Sequence, residues 1–338
     1  MKVSGEVKEI QEIRERLRPI SLASVSFGKD STATLQLVLE AMKGTDTKLY
    51  IVTSDTKMEI PFYEDYVNRQ RDRVQDFISR NGINAEMVIV NPEPHKTYWI
   101  LSLGLGYPAP HQGFRWCTGA IKTEPMIRAA AEITKGADYM TFIGVRRAES
   151  VLRERIYTSK DVDAHRYAPI LDWSTEQVWT YLLTEPCPWG DHQDLVKVYR
   201  YSSDECVYGE KQGVCIGNAR YGCWICPLQK EAQLNMLTYF TGDKRYLALK
   251  QYREVYCSMS NNTAYRSQIR RNGEEGAGPF LVTVREDLYR DLKKLEARTG
   301  WQLITPDEEA QIFKHWEEDR DIHNVACNDW PMLFPVEA

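Results

Sequence analysis

The sequence predicts an α/β fold: a parallel twisted sheet flanked by helices, followed by a mainly helical C-terminal region that carries a cysteine cluster. Three observations predict it. Short apolar runs that suit buried strands alternate with stretches of helical apolar spacing, and this alternation implies parallel strands joined by right-handed crossovers. Small, polar turns close two of those runs, at residues 26–31 and 54–56, where such sheets hold ligands beyond the carboxyl ends of their strands. Four of the eight cysteines fall within the 21 residues from Cys206 to Cys226. The expected division is an α/β domain over residues 1–185 and a cysteine-bearing helical region over 186–338.

In chain order, Val7 to Leu17 reads as a helix ended by Pro19. The apolar run from Ile20 enters the turn Ser26-Phe27-Gly28-Lys29-Asp30-Ser31-Thr32, which opens a helix carrying the apolar residues Leu35 to Met42. Lys48 to Thr56 is a second strand with a polar tip. Pro61 to Arg80 is an amphipathic helix with Phe62, Tyr66, Val74, Phe77 and Ile78 on one face, stopped by Asn81-Gly82. Glu86 to Val90 is a third strand, and residues 91–114 form an ordered loop rich in glycine and proline. Tyr139 to Val145 is a further strand, running into Gly144-Val145-Arg146-Arg147. Ser174 and Gln177 form a capping box for a helix toward Leu183, with Cys187 structural between Pro186 and Pro188. Glu231 to Tyr256 has helical spacing, Asn261 to Gly278 reads as a mobile polar segment, and Thr305-Pro306-Asp307-Glu308 starts a last helix.

Composition narrows the class. Of 338 residues, 43% are hydrophobic and 27% charged, as in ordinary globular proteins. No window approaches the roughly 20 apolar residues that span a bilayer. Residues 1–18 are highly charged and lack the apolar segment of an export signal. The expectation is a cytoplasmic protein without a membrane partner. A formal net charge of −5 argues against a broad basic face for nucleic acid but leaves a local patch open. Arg266, Arg270 and Arg271 read first as solvated loop charges and second as contacts to a nucleic-acid backbone.

The chemistry-bearing residues gather at strand ends. A strand, a small-residue turn and a helix start make an anion site, because first-turn amides lack intrahelical partners and the helix dipole favours negative charge there. Gly28 permits close approach of a phosphate, Ser26, Ser31 and Thr32 supply hydroxyls, and Lys29 supplies a full charge. A carboxylate beside phosphates needs a bridging cation, so Asp30 is a candidate Mg²⁺ ligand. Ser54, Asp55 and Thr56 are candidates for nucleoside or metal contact; plain loop polarity explains them equally well. Gly144 and the arginine pair Arg146 and Arg147 occupy another ligand edge, where guanidinium matches phosphate bidentately. Salt-bridging to Glu149 and Glu154 is the plainer alternative. Cys117 lies between Arg115 and Lys122, cations that favour an anionic substrate and a thiolate. A buried, inert thiol is the alternative. Cys206, Cys215, Cys223 and Cys226 have the spacing C-x8-C-x7-C-x2-C, compatible with a four-thiolate zinc site or a [4Fe–4S] cluster.

Residues 26–31 resemble the PP-loop, S-G-G-x-D-S, of the ATP pyrophosphatases, with Phe27 replacing the first glycine. That loop, Phe114-Arg115-Trp116-Cys117, Gly144-Val-Arg-Arg-Ala-Glu-Ser150 and Gly217-Asn-Ala-Arg-Tyr-Gly-Cys223-Trp-Ile-Cys226 occur in one order. Together they resemble the phosphoadenosine-phosphosulfate-reductase-like sulfurtransferases of DNA phosphorothioation, the DndC/SspD type, over roughly residues 15–320. The resemblance implies an adenine nucleotide alpha hydrolase-like fold. It implies ATP and Mg²⁺ at Ser26, Phe27, Gly28, Lys29, Asp30, Ser31 and Thr32, with Ser54, Asp55, Thr56 and Gly144 completing the nucleotide site. Cleavage between the α and β phosphates would adenylylate a DNA backbone phosphate, and a cysteine-desulfurase persulfide would supply the sulfur that replaces a non-bridging oxygen. Such chemistry serves defence against foreign DNA alongside other phosphorothioation proteins. Lys29, Asp30, Arg146 and Arg147 would act on the phosphates, Cys117 would relay sulfur, and the four clustered cysteines would hold a [4Fe–4S] cluster, with zinc the lesser alternative. The chain is shorter than typical DndC proteins and lacks the C-terminal Glu-Cys-Gly-Leu-His type of segment of sulfonucleotide reductases. A tRNA thiolase or sulfonucleotide reductase on the same fold, or a nucleotide-binding module with structural zinc, are the competing expectations.

Overall fold

A computed structural model describes residues 6–202, 222–228 and 232–325. It resolves into two compact units whose segments interleave along the chain: residues 6–55, 60–90 and 125–202 in the first, and residues 56–59, 91–124, 222–228 and 232–325 in the second.

The first unit is built on a six-stranded sheet. After helix α1 (Glu6–Arg16) come β1 (Ile20–Ser24), α2 (Lys29–Ala41), β2 (Lys48–Ser54), α3 (Pro61–Asn81) and β3 (Ala85–Val90). β4 (Tyr139–Ile143), β5 (Asp161–Asp163) and β6 (Arg166–Tyr167) complete the order β3-β2-β1-β4-β6-β5. Every pair is parallel except β5 with β6. Leu22 of β1 lies opposite Tyr50 of β2 and Thr141 of β4. One face of the sheet buries Leu22, Val52 and Val90 under Met126, Ala129, Ala130 and Ile133 of the helix Glu124–Thr134. α2 packs between α1 and the helix Thr175–Thr184, and 11 of its 13 residues are buried, polar ones of its first turns included, so it is enclosed on nearly all sides rather than amphipathic at a surface. The parallel, helix-flanked sheet expected from the alternation is present. The antiparallel edge pair was not foreseen, because Asp161–Asp163 and Arg166–Tyr167 are too short and polar to carry a strand pattern.

β1 sits between β2 and β4, so the chain leaves β1 on one side and returns on the other. The crevice at that reversal is where open α/β sheets bind ligands. Residues 26–32 and 144–147 both lie there, directly after β1 and β4.

The second unit is mainly helical. The expected helix from Glu231 to Tyr256 is divided: Ala232–Thr241 ends at Gly242, whose φ of +72° stops it, and Arg245–Asn261 follows. Val282–Thr299 packs on the latter, and Pro306–Asp319 packs on Ile100–Gly104, a wide π-helical turn. Thr305 and Glu308 form the expected capping box. Residues 261–278 do not form a loose polar loop. Arg266 is 5% exposed and donates to the carbonyls of Gly278, Ser260 and Ala277, while the Ser267 amide donates to the Pro279 carbonyl and the Ser267 carbonyl accepts from the Gly278 amide. A Cβ on Gly278 would lie 2.0 Å from the Ile269 carbonyl oxygen, so the two strands of this hairpin approach more closely than any other residue permits. Among the described residues no helix is long and apolar enough to cross a membrane.

Candidate functional site

In the first unit the loop after β1 is shaped by its one departure from the glycine pattern. Phe27 has φ +55°, the left-handed region, and its side chain is fully buried. The conformation costs about 1–2 kcal/mol for a residue with a Cβ, which burial of the ring, worth about 1.5–3 kcal/mol, offsets. Two tyrosines of α3 hold the loop backbone: Tyr63 donates to the Ser26 carbonyl at 2.5 Å and Tyr66 to the Phe27 carbonyl at 2.9 Å. Phe27 thus adopts a backbone conformation that glycine ordinarily supplies.

The serines tie the loop to itself. Ser31 Oγ accepts from the Ser26 amide at 3.2 Å, donates to the Gly28 carbonyl at 3.1 Å and lies 3.2 Å from Ser26 Oγ. Gly28 is the N-cap of α2 without a capping side chain. The Lys29 amide instead donates to the hydroxyl of Tyr199 at 3.1 Å, and the Lys29 ammonium lies 5.2 Å from the centre of the Tyr199 ring. That phenol holds a first-turn amide of the kind phosphate oxygens bind.

Asp30 is held in a buried ion pair. Arg146, 1% exposed, donates to Asp30 Oδ1 at 2.6 Å and to the Trp173 carbonyl at 3.2 Å; Lys29 Nζ lies 3.4 Å from the other carboxylate oxygen. β4 reaches this cluster only because residue 144 is glycine: a Cβ there would sit 2.7 Å from Ser31 backbone atoms. Arg147 faces elsewhere, pairing with Asp172 at 2.7 Å and with the carbonyls of Tyr157 and Thr158. Glu149 caps the Arg146 amide at 3.1 Å and pairs with Arg153. Two hydroxyls of the expected nucleotide site, Thr32 Oγ1 and Ser54 Oγ, are buried without a hydrogen-bond partner. Orphaned buried hydroxyls are costly, and a polyphosphate or nucleoside would satisfy them. The Asp55 amide donates to the Val90 carbonyl at 2.9 Å. Cys187 is half-buried, its thiol pushed up to about 11 by burial, in keeping with an inert structural role.

The thiols gather in the second unit. Cys223-Trp224-Ile225-Cys226 forms a tight turn, with the Cys226 amide on the Cys223 carbonyl at 3.1 Å. Residues 56–59 brace it: the Trp224 amide donates to the Met58 carbonyl at 2.9 Å, and Glu59 pairs with Cys223 as a β-bridge. Thr56, a sequence candidate for nucleotide contact, here donates to Glu59 at 2.7 Å and lies 3.5 Å from Cys223 Sγ. Cys117, in the short helix Trp116–Thr118, and Lys122, in the π turn Gly119–Thr123, join the same cluster. Burial opposes the Lys122 charge, but Cys223, Glu59, Cys117 and Cys226 outweigh it and raise the pKa. Cys223 is pushed up to about 12 by burial, against Lys122. Cys117 is also raised, by burial and then by Cys226, which overcome Lys122 and Thr118. The expectation that neighbouring cations would make Cys117 a ready thiolate is therefore reversed: desolvation wins.

Cys257, on the helix Arg245–Asn261, is a member the sequence did not single out; burial pushes it up to about 12, and the Cys226 charge contributes. Only the fold brings it within reach of Cys226, 31 residues away in sequence. Tyr98 and Tyr256 wall the group, their rings 6.4 Å apart, and Cys117 contributes to raising the pKa of both phenols. Cys206 and Cys215 lie outside the described residues, and among the described residues no group of three ligands for a metal is assembled. The Cys223–Cys226 turn fits a metal or one edge of a cluster: it presents two thiols at x2 spacing, and Cys223, which burial makes costly to ionise alone, is one that a cation would deprotonate.

Known proteins resemble this chain over part of its length. An uncharacterized protein of Methanocaldococcus jannaschii is 29% identical over 235 residues, 68% of this chain and 40% of that protein. The adenosine 5′-phosphosulfate reductase of Neisseria meningitidis serogroup A is 40% identical over 82 residues, 23% of this chain and 31% of that enzyme. The chain thus spans well under two thirds of the length of these curated relatives. Among solved structures, the U34-tRNA thiolase NcsA of Methanococcus maripaludis with its [4Fe–4S] cluster aligns at 13% identity and a TM-score of 0.36, over 76% of this chain and 81% of that one. The phosphoadenylyl-sulfate reductase of Candida auris, in a phosphate complex, aligns at 15% identity and a TM-score of 0.37, over 58% and 86%. The model of the phosphoadenosine phosphosulfate reductase domain matches residues 21–191, half of the chain. On that match, this chain belongs to the phosphoadenosine phosphosulfate reductase domain family.

Proposed function

We propose that this chain is an ATP pyrophosphatase and sulfurtransferase that adenylylates a DNA backbone phosphate and replaces one of its non-bridging oxygens by sulfur. The observation that carries the reading is the junction of β4 with α2. There Gly144 lets Asp30, Lys29 and Arg146 meet beside a helix N-terminus and the unsatisfied hydroxyl of Thr32. Such a site suits the phosphates of ATP. A non-bridging oxygen of the substrate attacks the α-phosphorus, the bond to the β-phosphate oxygen breaks, and pyrophosphate leaves. Lys29 and Arg146 stabilise the charge that develops. Mg²⁺, with Asp30 as its candidate ligand, would neutralise the polyphosphate when bound.

The sulfur step follows from the second unit's chemistry. A desulfurase delivers sulfane sulfur to a thiol, Cys117 being the candidate. The terminal persulfide sulfur attacks the activated phosphorus, and AMP leaves with the displaced oxygen. A second thiol, with Cys257 as the candidate, then cleaves the S–S bond to leave the phosphorothioate and a protein disulfide. An external thiol reductant resets that disulfide. Lys122 stabilises the sulfur anion in an otherwise desolvated pocket. Cys206, Cys215, Cys223 and Cys226 would hold a [4Fe–4S] cluster, which would shape this pocket when bound.

Anaerobic protein incubated with ATP, DNA, a cysteine desulfurase and ³⁵S-cysteine tests the reading. Pyrophosphate, AMP and nuclease-resistant label in DNA are expected. The 40% identity to an adenosine 5′-phosphosulfate reductase over 82 residues favours a second reading, reduction of a sulfonucleotide. Sulfite release from adenosine 5′-phosphosulfate, with no label in DNA, would establish it instead.

A further inference from the structure

The second unit contains a cavity of about 410 Å³ between residues 107–114 and the hairpin 260–279. We infer that this cavity binds one unpaired nucleotide of the substrate strand, its base stacked on Phe114 and its phosphate on Arg270. The inference rests on the nucleic-acid substrate proposed above and adds where the strand is held.

The lining has two chemistries. One wall is aromatic: Phe114, 44% exposed, lies 6.5 Å from Tyr107 and 6.0 Å from His111 between ring centres. Large exposed rings facing a cavity are the platform on which unpaired bases stack. The other wall is cationic, supplied by Arg266, Arg270 and Arg271, and among the described residues that line the cavity none carries a carboxylate. Two of these arginines build the wall. Arg266 is committed to the carbonyls of Gly278, Ser260 and Ala277, and Arg271 to the Leu105 carbonyl and Asp319. Burial, and then the Arg266 charge, hold the His111 pKa below its ordinary value. Arg270 differs: its side chain is half exposed, its carboxylate partner Glu274 stands 3.5 Å away and is more exposed still, and its guanidinium lies over Gly276, where a Cβ would fall 2.8 Å from it. A phosphate can replace so loose a surface pair.

The aromatic wall is set in advance. The Ala109 amide donates to Ser260 Oγ at 2.8 Å, Tyr256 to the Tyr107 carbonyl at 3.1 Å, and Trp116 Nε1 to the Pro108 carbonyl at 2.9 Å. A preformed wall avoids the ordering cost that a loop would meet on binding. Position adds a reason for a nucleotide rather than a free anion. Phe114 is three residues before Cys117, a reach of at most about 11 Å, so a base seated on Phe114 brings a neighbouring phosphate toward the thiol cluster.

The test is equilibrium binding of a fluorescein-labelled 12-nucleotide single-stranded DNA of mixed sequence to the whole chain, read by anisotropy across a salt series. Phe114→Ala should weaken binding about tenfold, and Phe114→Trp should retain it. Arg270→Gln should weaken binding and flatten the salt dependence by about one counterion. An oligonucleotide made wholly of abasic sites should bind wild type about as weakly as the intact one binds Phe114→Ala. Melting temperatures of the variants within 2 °C or so of wild type establish that each is folded; a variant outside that range is replaced by Phe114→Leu or Arg270→Lys, for which the same directions hold. Wild-type affinity in folded Phe114→Ala and Arg270→Gln, or equal affinity for the abasic strand, overturns the inference even if sulfur enters DNA. Stacking-dependent binding without pyrophosphate release or sulfur transfer would sustain the cavity's role and sink the proposed reaction.

Discussion

Arg146 donates to the Asp30 carboxylate at 2.6 Å, and the two side chains are 2% and 12% exposed. An arginine after β4 is thereby locked to the first turn of the helix after β1, across the crevice where the strand order reverses. Truncating Arg146 leaves the Asp30 carboxylate with Lys29 as its remaining cation at 3.4 Å, and truncating Asp30 leaves the Arg146 charge with the Trp173 carbonyl. Arg146→Ala should cost about 3–5 kcal/mol of stability, measured by urea denaturation. Asp30→Asn with Arg146→Met should cost less than the sum of the singles, and strict additivity would contradict the coupling.

Gly144 makes that pair possible. A methyl group at this position would stand 2.7 Å from Ser31 backbone atoms. Gly144→Ala should destabilise the chain by about 1–3 kcal/mol through overpacking and weaken ATP binding, measured by calorimetry. Unchanged affinity would separate the junction from the nucleotide site.

Phe27 combines strain with burial. Phe27→Ala keeps the left-handed strain and loses the ring, so it should cost about 3–5 kcal/mol. Phe27→Gly loses the same ring but relieves the strain, and should be about 1 kcal/mol more stable than the alanine variant. Thermal unfolding of the two variants, ranked against each other, decides this.

His192 makes the first unit acid-sensitive. It is 6% exposed, and its Nε2 lies 3.0 Å from Gln36 Oε1. Burial depresses its pKa to about 4 from an ordinary 6.5, with Asp191 opposing. A histidine held neutral in the fold takes up its proton first in the unfolded chain. Stability is full above pH 6.5 and falls as the pH drops from 6.5 toward 4, by about 3 kcal/mol from this residue. His192→Gln should flatten that part of the pH–stability curve in denaturant titrations at pH 4.5 and 7.

Lys122 lowers the pKa of Cys117 and Cys223 against burial. Lys122→Met should raise both further and slow iodoacetamide alkylation of Cys117 at pH 8.5, read by mass spectrometry. Faster alkylation would mean that the ammonium shields the thiol more than it activates it.

Much of this was legible in the sequence, and what was missed has a common cause. The apolar runs at Ile20, Lys48, Glu86 and Tyr139 signal strands because a sheet buried on both faces needs nearly continuous hydrophobic segments. Residues 26–32 signal an anion site because glycine, lysine and hydroxyls at a helix start have few other uses. The capping pairs Ser174–Gln177 and Thr305–Glu308 are local chemistry and are seen as expected. Tyr199, which holds the Lys29 amide, is 170 residues from it, and Cys257 is 31 from Cys226. Partners so distant carry no spacing signal. Net desolvation escapes the sequence too: Arg115 and Lys122 suggested a thiolate at Cys117, whereas burial raises its pKa. The arginines of 266–271 suggested a solvated loop, because composition does not reveal that Gly278 lets the backbone close around Arg266.

The central claim is that the cluster of Lys29, Asp30 and Arg146 directs attack to the α-phosphorus of ATP. Wild type and Asp30→Asn, confirmed folded by circular dichroism, incubated with ATP labelled separately at the α and γ phosphates and with DNA, measure it most directly. Pyrophosphate and AMP from wild type, abolished in Asp30→Asn, are predicted; orthophosphate and ADP, or no turnover with DNA present, would contradict it.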